Sequence, residues 1–152
     1  MSVGLLEISD YIDPEDLDAL EERLHDYTRE ETGLTLDFVP LSILKRDEDD
    51  DRIVAGLYGE SFWNWLYIDS LWVDDALRGQ GVGRSLIEAA EEEARARDCT
   101  GVYLWAQSFT SPDFYAKMGY EVFAELPGFP VGHRRIGFMK RLLQTSEQAG
   151  SR

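Results

Sequence analysis

A chain of 152 residues with one cysteine, Cys99, is long enough for a single hydrophobic core and cannot form an internal disulfide. Thirty acidic against 15 basic residues leave a net charge of −15, which argues against non-specific nucleic-acid binding, where neutralising phosphates supplies most of the affinity. No apolar run approaches the roughly 20 residues of a membrane span, and no basic-then-apolar leader opens the chain, so neither nucleic acid nor membrane is expected as a partner and the expected compartment is the cytoplasm.

Residues 3–9 read as a first strand. A helix then starts at Asp13-Pro14-Glu15-Asp16, with Asp13 as N-cap, proline in the first turn and acids at the positive end of the dipole. Leu17, Leu20, Leu24 and Tyr27 follow at helical spacing as a face for the core, and Gly33 is the stop. Residues 40–46 and 52–59 read as two strands joined by the acidic turn 47–51. That turn lacks the spaced ligands and central glycine of a calcium loop, so no metal is expected. A long aromatic strand covers 65–73, and three glycines, Gly79, Gly81 and Gly83, lead from it into a helix over 82–97. Val82, Leu86, Ala89, Ala90 and Ala94 share the apolar face of that helix, with Glu91, Glu92 and Glu93 outward.

Residues 102–107 form a nearly continuous apolar run, as a buried parallel strand requires. Ser111-Pro112-Asp113 starts a short helix with Ser111 as its cap, and Gly119 ends it. Two closing strands, 120–126 and 136–142, flank the loop 127–133, and 144–152 is a polar tail. The order is β-α-β-β-β-α-β-α-β-β: one α/β domain over 1–143, with a mixed, mostly antiparallel sheet of six or seven strands, flanking helices and a parallel β-α-β centre.

The glycine-rich loop lies at the carboxyl end of a strand and opens a helix, which suits an anion such as a phosphate. A dinucleotide fingerprint would place its third glycine where Arg84 stands, and no Gly-Lys-Ser/Thr follows for a nucleotide-triphosphate loop. The spacing Arg78, Gly81, Gly83, five residues after Val73, together with Phe114-Tyr115-Ala116-Lys117-Met118-Gly119-Tyr120 and the closing Gly-His-x-Arg of Gly132 to Arg135, resembles the GNAT superfamily of N-acetyltransferases. The resemblance runs from about residue 53 to 143. It implies a GNAT-like fold, acetyl-CoA as cofactor, and direct transfer of an acetyl group to a primary amine, most simply of a small molecule. Homodimers are common in the family. The alternative is a non-catalytic acyl-CoA-binding sensor or regulatory protein.

Carried over by motif, the acetyl carbonyl would meet the N–H of Leu71, and the pantetheine arm the backbone around Trp72 and Val73. The pyrophosphate would meet Arg78, Gly79, Gln80, Gly81, Val82 and Gly83, with Arg84 close by. Tyr115 matches the tyrosine that protonates the departing thiolate. Ser108 stands where the family often has an asparagine that contacts coenzyme A. Tyr67 occupies the position of the glutamate base found in some members and cannot serve as a base at neutral pH. Strand alternation places Tyr67, Asp69, Leu71 and Val73 on one face, which makes Asp69 the candidate base, with Glu60 and His133 as further candidates. Asp69 and the negative field favour a cationic acceptor, in a pocket formed by the first helix, residues 63–69 and the loop 127–133.

Overall fold

The computed structural model describes residues 1–142, so the polar tail lies outside the described residues. The chain falls into two compact units, Met1–Leu36 and Asp37–Arg152. The first holds helix α1, Pro14–Thr32, which ends as expected: Gly33 adopts φ 71° and returns its N–H to the carbonyl of Arg29. Its start differs from expectation. The Asp13 side chain makes no capping hydrogen bond, and its backbone carbonyl instead accepts the N–H groups of Asp16 and Leu17. Residues 3–9 form no strand, because no ladder in that unit pairs with them and an unpaired strand has no hydrogen bonds to hold it. This unit has no core of its own, and none of the α1 residues is buried.

The second unit is a six-stranded sheet in the order β1-β2-β3-β4-β6-β5. Its strands are β1 Val39–Arg46, β2 Ile53–Phe62, β3 Trp65–Val73, β4 Gly101–Gln107, β5 Glu121–Pro127 and β6 Arg134–Arg141. All neighbours pair antiparallel except β3 and β4, which are joined by helix α2, Val82–Ala96, as a parallel crossover. A short helix α3, Pro112–Lys117, links β4 to β5.

The α2 side of the sheet is the core. Leu86, Ile87, Ala90 and Ala94 of α2 pack on Leu57, Leu66, Ile68, Val102, Leu104, Ile136 and Phe138. The inward face of α2 is rotated from the sequence reading: Ile87 and Glu91 point in, while Ala89 is exposed. Glu91 tolerates 4% exposure because Lys140 Nζ reaches both its carboxylate oxygens, at 2.7 and 3.1 Å. The same ammonium donates to the carbonyl of Met118 at 3.0 Å, so α2, β6 and the end of α3 share one buried charge. Ser111 does not cap α3 through its side chain: it sits at φ 39°, and its carbonyl accepts the N–H of Phe114.

Candidate active site

The site is built where β3 and β4 part. Their parallel ladder runs from Trp65↔Gly101 only to Ile68↔Leu104. Beyond that point β3 continues to Val73 on its β2 side and β4 continues to Gln107 on its β6 side. Residues 69–73 and 105–107 are therefore the two walls of a wedge. The backbone N–H and C=O groups of β3 that face β4 are left without a ladder, and such groups take an extended ligand readily.

Register places a β-bulge at the mouth of this wedge. Tyr58 pairs with Ser70 and Gly59 with Ile68, so Asp69 is the extra residue without a partner on β2. Gly59 fits there because a Cβ would lie 2.2 Å from the carbonyl oxygen of Tyr67. The bulge resets the alternation. Leu66 and Ile68 face the core before it, and Leu71 and Val73 pack against the core after it. Tyr67 thus points to the face opposite Leu71 and Val73, and the single face expected for Tyr67, Asp69, Leu71 and Val73 does not form. Asp69 is exposed and accepts a hydrogen bond from Ser70 Oγ at 2.8 Å, and Trp72 is exposed on the outer face.

Below the wedge, Asp74 caps a 3-10 turn, Asp75–Leu77, by accepting the N–H of Ala76 at 2.9 Å. The loop then turns at Gly79 (φ 75°) and Gly81 (φ 79°), left-handed conformations that a side chain would strain. No atom lies within 4 Å of where a Cβ would stand at either glycine, so the loop backbone is open to a ligand. Gly81 is the N-cap of α2 and no side chain caps that helix, which leaves the first-turn N–H groups of Val82, Gly83 and Arg84 aimed at the loop. Gly83 serves packing: a Cβ there would stand 3.4 Å from the ring of Phe114. The side chains arrange themselves around this cradle: Arg78 pairs with Asp75 at 2.8 Å, Gln80 donates to the carbonyl of Ala76, and Arg84 pairs with Glu88 at 3.7 Å. An open backbone cradle at a helix N-terminus beside an unladdered strand edge fits a pyrophosphate carrying an extended amide arm.

Tyr115 of α3 packs on the core side, 5.4 Å from the ring of Phe138 and 6.1 Å from that of Tyr120. Burial raises its hydroxyl above the usual tyrosine range, so it stays protonated at neutral pH. Ser108 is engaged at the strand end: its Oγ accepts the N–H of Arg134 at 3.1 Å, and its own N–H goes to the carbonyl of Arg134.

The outer face carries a different set of residues. Tyr67 stacks on Tyr103 at 5.0 Å, Tyr103 meets Phe123 edge-on, and Trp105 meets Phe123 at 5.4 Å. Glycines leave notches for these rings: a Cβ on Gly101 would strike Trp65 at 2.3 Å, and one on Gly137 would strike Phe123 at 2.8 Å. Burial raises the Tyr67 hydroxyl, and the charges of Asp69 and Glu60 add to the shift while Arg135 opposes it. Two residues of this face escaped the sequence reading as site candidates. Arg135 stacks over Trp105 and Phe129, and Gln107, its cross-strand partner, has a buried Oε1 with no hydrogen-bond partner. The closing Gly-His-x-Arg was visible, but only the sheet register shows which face its arginine occupies. His133 rests edge-on against Phe109.

Among the described residues no group of His, Cys, Asp and Glu could hold a metal ion, and no helix is long and apolar enough to cross a membrane. The family model described as acetyltransferase (GNAT) family matches residues 6–120. An acetyltransferase of Agrobacterium fabrum, Atu2258, is 34% identical over 134 residues, which is 88% of this chain and 96% of that protein. The blasticidin-S acetyltransferase of Streptomyces morookaense is 42% identical over 84 residues; the match covers 53% of this chain and only 60% of that relative's length. A crystal structure of an acetyltransferase from Bacillus cereus superposes with a TM-score of 0.79 at 26% identity, covering 90% of this chain and 98% of that one.

Proposed function

The chain belongs to the GNAT family of acetyltransferases, and on that premise we propose that it transfers the acetyl group of acetyl-CoA to a primary amine of a small molecule, in a direct ternary complex in the cytoplasm. Membership makes it an acyltransferase with acetyl-CoA as cofactor. When bound, that cofactor supplies an acetyl group activated as a thioester. The observation that carries the reading is the parting of β3 from β4 after Ile68↔Leu104, directly above the open loop at Gly79 and Gly81.

In this reading the domain spans 1–143, and residues 71–73 offer backbone hydrogen bonds to the extended arm, with the N–H of Leu71 for the acetyl oxygen. The backbone from Arg78 to Gly83 holds the pyrophosphate, with Gln80, Val82 and Arg84 around it. Tyr115 stands on the core side of the wedge and holds a proton at its Oη for the departing sulfur. The bulge carries Asp69 out to solvent at the wedge mouth, where its carboxylate takes the proton that an ammonium must lose before it can attack. Ser108 keeps the end of β4 fixed to β6 beside the wedge. A small-molecule acceptor is supported by what the relative from Streptomyces morookaense is named for, although the match spans only part of that protein.

Thiol release from acetyl-CoA, measured against a panel of amino acids, polyamines, aminoglycosides and short peptides, tests the reading. Release that requires the amine is the expected outcome. Binding of acetyl-CoA without amine-dependent release for any member would defeat it.

A further inference from the structure

The arginine on the outer face has donors and no charged partner. Arg135 lies 4.8 Å over the ring of Trp105 and 5.2 Å over that of Phe129, and among the described residues no carboxylate pairs with it. Its neighbour Arg134 is paired, with Glu125 at 3.6 Å. In a chain with twice as many acids as bases, a half-buried guanidinium with no ion pair is unusual, and two rings hold its plane in place. A stacked guanidinium keeps its N–H edge for a planar anion, and a carboxylate fits that edge with two parallel hydrogen bonds.

Its surroundings are also polar on both sides. Gln107 sits directly across from Arg135 on β4, at the end of the wedge wall, and its buried Oε1 has no donor. On the other side, Tyr67 feels the charges of Arg135, Asp69 and Glu60 together, so positive and negative groups converge on one aromatic floor. Asp69 and Glu60 suit an ammonium. Arg135 repels one.

We propose that Arg135 is the specificity residue for the acceptor's carboxylate, so that the acceptor is a zwitterionic amine such as an amino acid or a short peptide-like molecule. This rests on the acetyl-transfer reading and narrows its acceptor from any cationic amine to one that also carries a carboxylate. It divides the labour on the outer face: Asp69 attends to the reacting nitrogen at the wedge mouth, and Arg135 fixes the far end of the same molecule.

The test compares the α-amino acids with their α-amides as acceptors, in the wild type and in Arg135→Gln. The wild type is expected to prefer the acids. Arg135→Gln should raise KM for the acids about tenfold or more, as loss of a charge-assisted bond predicts, and leave KM for the amides and for acetyl-CoA within about twofold. Each acceptor serves as its own control, so the lower amine pKa of the amides cancels between variants. Arg135→Lys keeps the charge without the stacked fork, and should recover part of the preference, which also covers the case that the glutamine variant fails to fold. No preference in the wild type, or an equal rise for acids and amides, overturns the proposal. If neither series is acetylated, calorimetric titration of both into the coenzyme A-loaded protein separates the two claims. Saturable binding of acids alone then keeps Arg135 as a carboxylate site while the transfer reading falls, and binding of neither ends both.

Discussion

The two faces of the central sheet come from the same strands and have almost nothing else in common. On β4, Val102, Leu104 and Ala106 point into an aliphatic core where Leu104 is 1% exposed, while Tyr103, Trp105 and Gln107 point out onto a half-buried aromatic floor. The core face is closed, with Ile87 of α2 and Leu57 and Leu66 of the sheet fully buried. The outer face keeps charge and stacked rings within reach of solvent. A strand's period of two lets one segment serve stability and recognition at once, and each residue's parity decides which.

That division can be broken at five residues, from the largest expected effect to the smallest. Lys140→Ala leaves the Glu91 carboxylate buried without its counter-ion and should cost about 3–5 kcal/mol, read by chemical denaturation. A smaller loss would mean that Glu91 swings out to water. Leu104→Ala should cost about 3 kcal/mol through the lost transfer energy and the cavity it leaves. Its neighbour Trp105→Ala should cost clearly less in stability but raise the acceptor KM, and equal losses for the two would erase the distinction between the faces. Tyr115→Phe should leave the denaturation midpoint unchanged and lower kcat about a hundredfold, or about 2.7 kcal/mol in the barrier. Unaltered turnover at saturating acetyl-CoA would remove Tyr115 from the chemistry.

The smallest effect concerns pH. Tyr115 and Tyr120 are both shifted upward, chiefly by burial, and the charge of Glu91 adds to the shift at Tyr120, whose hydroxyl is buried without a hydrogen-bond partner. The unfolded chain therefore loses these protons first, near the ordinary tyrosine value of about 10. Stability should be level below that value and fall as the pH rises above it. Tyr120→Phe should change stability at neutral pH by no more than about 1 kcal/mol, since it deletes an unsatisfied group, and should make the alkaline loss shallower. Urea midpoints at pH 8 and pH 11 would show it.

Much of this was legible in the linear chain. The bounds of β3 and the start of α2 follow from apolar runs and from Gly79 and Gly81, because those signals are local. The motif spacings around Arg78 and Tyr115 named the family before any coordinate did. What escaped was of another kind. The bulge at Asp69 adds no unusual residue to β3, and its cause is the register against Gly59 on the neighbouring strand. A period-two reading runs through such a point and puts Tyr67 on the wrong face. Glu91 looked like one of three solvated acids, and Lys140, almost fifty residues away, brings it inside.

The sequence alone determined the helices α1, α2 and α3, the six strands, their order and the glycine turns that open α2, since periodicity and glycine placement act within a few residues of one another. The tertiary structure alone decided how those elements divide their surfaces. The wedge exists because two ladders outlast the one between them, Leu71 and Val73 turn inward because one residue slips the alternation of β3, and Arg135 stacks on Trp105 because β6 lies beside β4. Each of these is a relation between strands distant in the chain, and no local pattern encodes it.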